Sequence, residues 1–167
     1  MRNGKVLEMN MKLIDNISLT VVKEAQSLSE AQCEIFLEDK NTGIIVFGKE
    51  LEAAVRVSDK RFLLFTTDDI VYEESLNIFY IDTDSGIIER LSLGGHYVTG
   101  TFANLNVNEN SVSFSFFGDT TWTVHVLPTP SLRLPFTDPP GVSRPMGLRK
   151  YIAITATPAP ARADGSR

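Results

Sequence analysis

Between Phe102 and Leu127 the chain alternates apolar and polar residues with a period of two, and few backbone shapes satisfy that pattern. Leu105 and Val107 alternate with Asn104, Asn106 and Asn108. Val112, Phe114 and Phe116 alternate with Ser111, Ser113 and Ser115, and Trp122, Val124 and Val126 with Thr121, Thr123 and His125. Successive side chains of a strand point to opposite faces, so this stretch predicts three strands with one face buried and the other solvated. Asn108-Glu109-Asn110 and Gly118-Asp119 supply turn residues between them.

A less regular form of the same pattern runs through the preceding residues. Leu13, Ile17, Leu19 and Val21 share parity, which predicts a strand over Leu13 to Val21. Ala53, Val55 and Val57 form another, Ser58-Asp59-Lys60 a turn, and Arg61 to Thr66 a further strand. Asp68-Asp69 breaks the chain before Ile70 to Tyr72, and Gly94-Gly95 separates Leu93 from a strand over His96 to Thr101. Ser27-Leu28-Ser29-Glu30 matches a capping box, in which serine hydroxyl and glutamate carboxylate satisfy free amides at a helix start. So few residues precede the next strand that at most one short helix fits near 27–33. The expectation is an all-β domain over residues 11–127, an antiparallel meander of about nine strands forming a small barrel or sandwich. Residues 1–10 show no pattern and read as an unstructured leader, with Met9 and Met11 as alternative starts.

An internal repeat sharpens the reading. Ile35, Phe36, Asp39, Gly43 and Ile44-Ile45 recur 43 residues later as Ile78, Phe79, Asp82, Gly86 and Ile87-Ile88. Each copy reads as a hairpin. Asp at the turn entrance accepts from backbone amides ahead of it, and Gly takes the left-handed conformation that releases the second strand. The stretch from Tyr80 to Arg90 resembles the hydrophobic-Asp-x-x-Ser/Thr-Gly hairpins of β-propeller repeats. A closed propeller needs more blades than a body this short supplies, so a complete propeller is excluded.

A chain of 167 residues is long enough for one domain with a sizeable core. No apolar run exceeds four residues, as at Ile44 to Phe47, and no basic stretch followed by an apolar one opens the chain. Cys33 is the single cysteine, without an internal disulfide partner, and reads as a buried thiol. The expected location is cytoplasmic, without membrane association. The formal charge of −5 hides a division. Residues 1–127 hold ten Lys and Arg against nineteen Asp and Glu, a net of −9; residues 128–167 hold six against two, a net of +4. All eight prolines lie between Pro128 and Pro160. Proline removes the amide that a sheet ladder needs, so residues 128–167 are predicted to be a mostly disordered tail, with at most a brief strand over Lys150 to Thr155. No Pro-x-x-Pro occurs in it, which removes the proline-helix ligand class. Deleting residues 129–167 is then expected to leave stability unchanged.

Asp82-Thr83-Asp84-Ser85-Gly86 opens like a calcium loop, but Leu93 stands where an EF-hand supplies its bidentate acid. The earlier copy, with Asp39 and Asn41, also lacks a late acid, and both read as plain turns. Two histidines, His96 and His125, and one cysteine build no His-rich or thiolate site, so no metal and no cofactor is expected. The two histidines would suffice chemically as an acid–base pair for phosphodiester cleavage. His125, however, shares its face with Thr121 and Thr123, which reads as solvated. No Gly-x-Ser-x-Gly, Walker loop or Gly-x-Gly-x-x-Gly is present, and no catalytic residue is assigned. A body at −9 repels phosphates, so nucleic acid is not an expected partner. The acids remain. Glu50, Glu52, Asp68, Asp69, Glu73, Glu74, Asp82 and Asp84 fall mostly at predicted strand ends and turns. They serve either as a solubilising surface or as an acidic patch that meets a basic protein partner. The sequence therefore points to a non-enzymatic protein–protein interaction domain, such as an acidic immunity or inhibitor protein that masks a basic partner. The alternative is a small β-barrel that binds an apolar or carbohydrate ligand in its interior. Oligomeric state has no signature in the sequence.

Overall fold

The computed structural model describes residues 8–26, 30–68, 75–94 and 100–160, which form thirteen strands and no helix. In chain order these are β1 (Lys12–Ile14), β2 (Ile17–Lys23), β3 (Gln32–Leu37), β4 (Lys40–Phe47), β5 (Glu50–Arg56), β6 (Arg61–Thr67) and β7 (Leu76–Asp82). Then follow β8 (Gly86–Leu93), β9 (Ala103–Val107), β10 (Ser111–Ser115), β11 (Thr121–Leu132), β12 (Val142–Ser143) and β13 (Arg149–Thr157). Every pairing is antiparallel. The strands build three open sheets, ordered β1-β5-β6-β7-β8-β12, β13-β11-β10-β9 and β2-β3-β4. The all-β class is as expected, and the architecture is a layered sandwich with no closed barrel.

The six-stranded sheet is the middle layer, because apolar side chains leave both of its faces. Leu63, Phe65, Ile78 and Tyr80 enter one core with Phe114, Trp122 and Val124 of the four-stranded sheet. Their neighbours Phe62, Leu64, Phe79 and Ile81 enter the other with Ile35, Ile44 and Val46 of the three-stranded sheet. Strand side chains alternate between faces, so a sheet covered on both sides buries every residue in a run. β6 and β7 do this from Phe62 to Phe65 and from Ile78 to Ile81. The outer sheet keeps one wet face. Val112 lies opposite Val124 and Phe114 opposite Trp122 on its inner side, while Ser113 faces Thr123 outside. Phe65 and Phe114 meet edge to face across the core, with centroids 5.4 Å apart.

The repeat is two hairpins with unlike turns. Between β7 and β8, Asp82 Oδ1 accepts from the Asp84 and Ser85 amides at 2.8 and 3.2 Å, and Gly86 takes a φ of 93°, as expected. Between β3 and β4 the turn comes earlier, at Glu38-Asp39, both at positive φ. Gly43 then lies in a bulge of β4, where Asn41 Oδ1 accepts from its amide at 2.7 Å. The residue matching Glu38 in the second copy is Ile81, whose branched β-carbon resists a left-handed backbone, so that copy turns later.

Several boundaries differ from the expected ones. Eleven strands begin before Leu127, partly because the expected strand over Leu13 to Val21 is two, parted at Asp15-Asn16. Of the expected leader, residues 1–7 lie outside the described residues, while the Asn10 amide donates to Val57 O at 3.2 Å and Met9 packs on the first core. Ser27 to Ser29 of the capping box, Ile70 to Tyr72 and most of His96 to Thr101 lie outside the described residues, and Glu30 pairs with Arg90.

The largest correction concerns the tail expected from Pro128. β11 runs on through Pro128 and Pro130, and β13 pairs with it from Thr121↔Thr157 to Leu132↔Arg149. The prolines are tolerated because they lie where the ladder is interrupted, between Val126 and Ser131. β13 itself contains no proline and delivers Ile152 and Ile154 to the first core. The domain therefore extends beyond 127, while residues 161–167 lie outside the described ones.

Candidate interaction surfaces

Of the eight carboxylates singled out in the sequence, Asp69, Glu73 and Glu74 lie outside the described residues. The other five separate into two groups. Glu50 begins β5 opposite Thr67, the last residue of β6, and Thr67 Oγ1 donates to Glu52 Oε1 at 2.8 Å. Asp68 follows at once. Lys23 lies opposite Gln32, Cys33 donates to Gly48 O, and Glu50 lies opposite Thr67, so Glu24, Glu50 and Asp68 share one end of the body. Burial pushes the Cys33 thiol up, and these acids push it further. Cys33 donates to Gly48 O at 3.0 Å and is a satisfied core thiol.

Asp82 and Asp84 sit at the other end of β6, where Arg61 lies opposite Asp82. A seven-residue strand separates the groups by roughly 20 Å. Burial opposes ionisation of Asp82, but the Asp84 and Ser85 amides and the Arg61 guanidinium outweigh it and hold the carboxyl below its usual range. Asp84 pairs with Lys60. Both acids are thus engaged in closing the hairpin end. His125 lies half-buried on the outer sheet, and His96 is outside the described residues.

Beside the first group is a groove of about 470 Å³. The break between β1 and β2 contributes Leu13, Ile14 and Asp15, and β5 contributes Leu51, Glu52 and Ala53. Leu13 is 60% exposed, so the groove joins an open apolar surface to two carboxylates. Trp122, Phe65, Phe79, Tyr80 and Phe114 lie in the two cores at 0–1% exposure.

The second surface lies in the segment expected to be disordered. Residues 128–150 form an arm that leaves along β11, crosses beside β8 and returns to β13, and it is fastened at its base. Arg144, with its side chain 3% exposed, pairs with Glu89, donates to Ile152 O at 2.9 Å and grips Asp138 with two bonds at 2.8 and 3.0 Å. Glu89 Oε2 accepts from the Tyr151 amide at 2.6 Å. Burial pushes the Glu89 carboxyl up; the Tyr151 amide and the Arg144 and Arg133 charges pull it only part of the way back. β12 adds a short ladder to β8.

Past this clasp the arm holds large apolar side chains in solvent. Leu132 and Leu134 are 72% and 61% exposed, Leu148 84%, and Phe136 and Met146 fully. Arg133 donates to Pro145 O and Arg149 O, tying the two legs together. Exposed apolar side chains gathered this way mark contact surfaces more often than isolated ones do. Sequence reading missed the clasp because Glu89 and Arg144 are 55 residues apart. One local signal existed: Glu89 shares strand parity with the buried Leu91 and Leu93, an acid at an inward position. Compared with known proteins, the chain matches no family model, no curated protein and no solved structure.

Proposed function

We propose that the protein is a non-enzymatic interaction protein of inhibitor type, whose acidic body covers a basic protein partner. The observation that supports this is the gathering of Glu24, Glu50, Glu52 and Asp68 at one end of the body, beside a groove that adds Asp15. Charges this close sum their fields, which speeds encounter with a cation-rich surface and repels an acidic one. The apolar walls from Leu13 and Leu51 supply what charge alone does not, a dry contact that slows dissociation. Asp82 and Asp84 contribute less, since Arg61 and Lys60 already pair with them.

The test is binding of the whole chain to a small basic protein of pI above about 9, measured at about 0.01 M and 0.15 M ionic strength. Glu50→Gln combined with Glu52→Gln is expected to weaken binding roughly tenfold at low salt, and Asp84→Asn by less than about twofold. Equal losses from the two changes, or binding indifferent to salt, would discard the reading.

A further inference from the structure

The arm and the acidic groove are complementary in two independent respects. The groove offers apolar walls with the carboxylates of Asp15 and Glu52; the arm offers Leu134, Phe136, Met146 and Leu148 with the cations of Arg149 and Lys150. Residues 128–150 carry Arg133, Arg144, Arg149 and Lys150 against Asp138, a net of +3, whereas residues 1–127 carry −9. We propose that the arm of one copy docks in the groove between β1 and β5 of a second copy, head to tail. This rests on the reading that the acidic end receives a basic partner, and it names that partner.

Three physical points favour this occupant. The arm is preorganised: the Arg144 clasp holds its base, so little ordering cost is left for docking. The groove, at about 470 Å³, admits one or two side chains of the size of Phe or Met as anchors. A symmetric arm-to-arm contact would set Arg149 and Lys150 against their own copies, and like charges across an interface are costly. The groove lies on β1, a three-residue edge strand, and not on the arm, so each copy presents one donor and one acceptor surface. A contact of that kind closes into a ring or continues as a chain of molecules.

The experiment is sedimentation velocity of the full chain over a concentration series, at about 0.01 M and 0.15 M ionic strength. Wild type is expected to associate, more strongly at low salt. Phe136→Ser with Met146→Ser breaks the arm, and Asp15→Lys with Glu52→Lys breaks the groove; each is expected to weaken association roughly 30-fold. Circular dichroism identifies any variant that fails to fold, in which case Arg149→Glu replaces the arm variant and Asp15→Lys alone the groove variant. Mixing an arm variant with a groove variant is the decisive arm. One intact groove then meets one intact arm, and the expected product is a one-to-one dimer that grows no further. A mixture that stays monomeric, or a groove variant that still self-associates, overturns the head-to-tail contact. Wild type that stays monomeric while basic-protein binding depends on Glu50 and Glu52 overturns self-docking and keeps the basic-partner reading. Loss of both overturns both.

Discussion

Residues 8–127 and residues 128–160 use the same antiparallel strands but are held by different forces. In the body, consecutive strands drop side chains into two apolar interiors, and the ion pairs at Arg61 and Lys60 lie at the rim. In the C-terminal segment β13 and Val142 of β12 reach an interior; much of the rest hangs from a buried arginine and leaves its largest apolar residues in water. A stretch whose composition suits no core still becomes ordered when one strand and a few directional bonds fix its ends. Its apolar residues are then free for a surface role.

Removing residues 129–167 tests the comparison most severely. The deletion strips Ile152 and Ile154 from the first core and leaves Glu89 buried without Arg144. Each lost isoleucine is worth about 2–5 kcal/mol against a total stability of about 5–15 kcal/mol. The expected outcome is loss of the cooperative thermal transition followed by circular dichroism. An unchanged melting curve would show that the segment does not belong to the fold.

Next in size is Arg144→Ala, which leaves a buried carboxylate unpaired and is expected to cost about 3–5 kcal/mol at neutral pH in denaturant unfolding. Burial raises the Glu89 carboxyl, so its protonated form favours the folded state. That contribution is full below the ordinary carboxyl value and is lost as pH rises through the folded-state value. The deficit of Arg144→Ala is therefore expected to shrink in acid. A deficit independent of pH would remove Glu89 from the explanation.

The smallest effect falls on the body, where the carboxyl is shifted the other way. Asp82 is held below its usual range by backbone amides and Arg61, against the pull of burial. Its contribution is full above about pH 4 and fades as pH falls through the folded-state value. Asp82→Asn is expected to melt slightly below wild type at pH 7 and to converge with it in acid. Both deficits shrink in acid, so size separates the regions: an Asp82→Asn deficit at pH 7 as large as that of Arg144→Ala would remove the contrast.

Legibility in the sequence follows the same division. Val112, Phe114, Trp122 and Val124 announced the outer sheet, because one wet face leaves a polar residue at every second position. β6 and β7 announced strands without alternation, and the reason, a covered second face, lay in the distant three-stranded sheet. The candidate surfaces were half visible. Glu50, Glu52 and Asp68 come together only through the pairing of β5 with β6, and Asp15 was masked by its position in a strand break. For Asp82 and Asp84 the hairpin was readable, but Lys60 and Arg61 arrive from the neighbouring turn. Prolines drew attention away from β13, whose Ile152 and Ile154 carried a correct but isolated signal.

The doubly covered middle layer gives up a safeguard that most sheets possess. Where one face is wet, sliding a strand by a single residue turns its apolar set toward water and is rejected at once. Phe62-Leu63-Leu64-Phe65 against Ile78-Phe79-Tyr80-Ile81 has no such veto, since grease replaces grease in either alignment. Proofreading passes to the polar end of the hairpin. There Arg61 meets Asp82, Lys60 meets Asp84, and the Thr83 amide donates to Lys60 O at 2.9 Å. These rim contacts, with Thr66 opposite Asn77 at the other end, are the polar groups that a slip of one residue would separate.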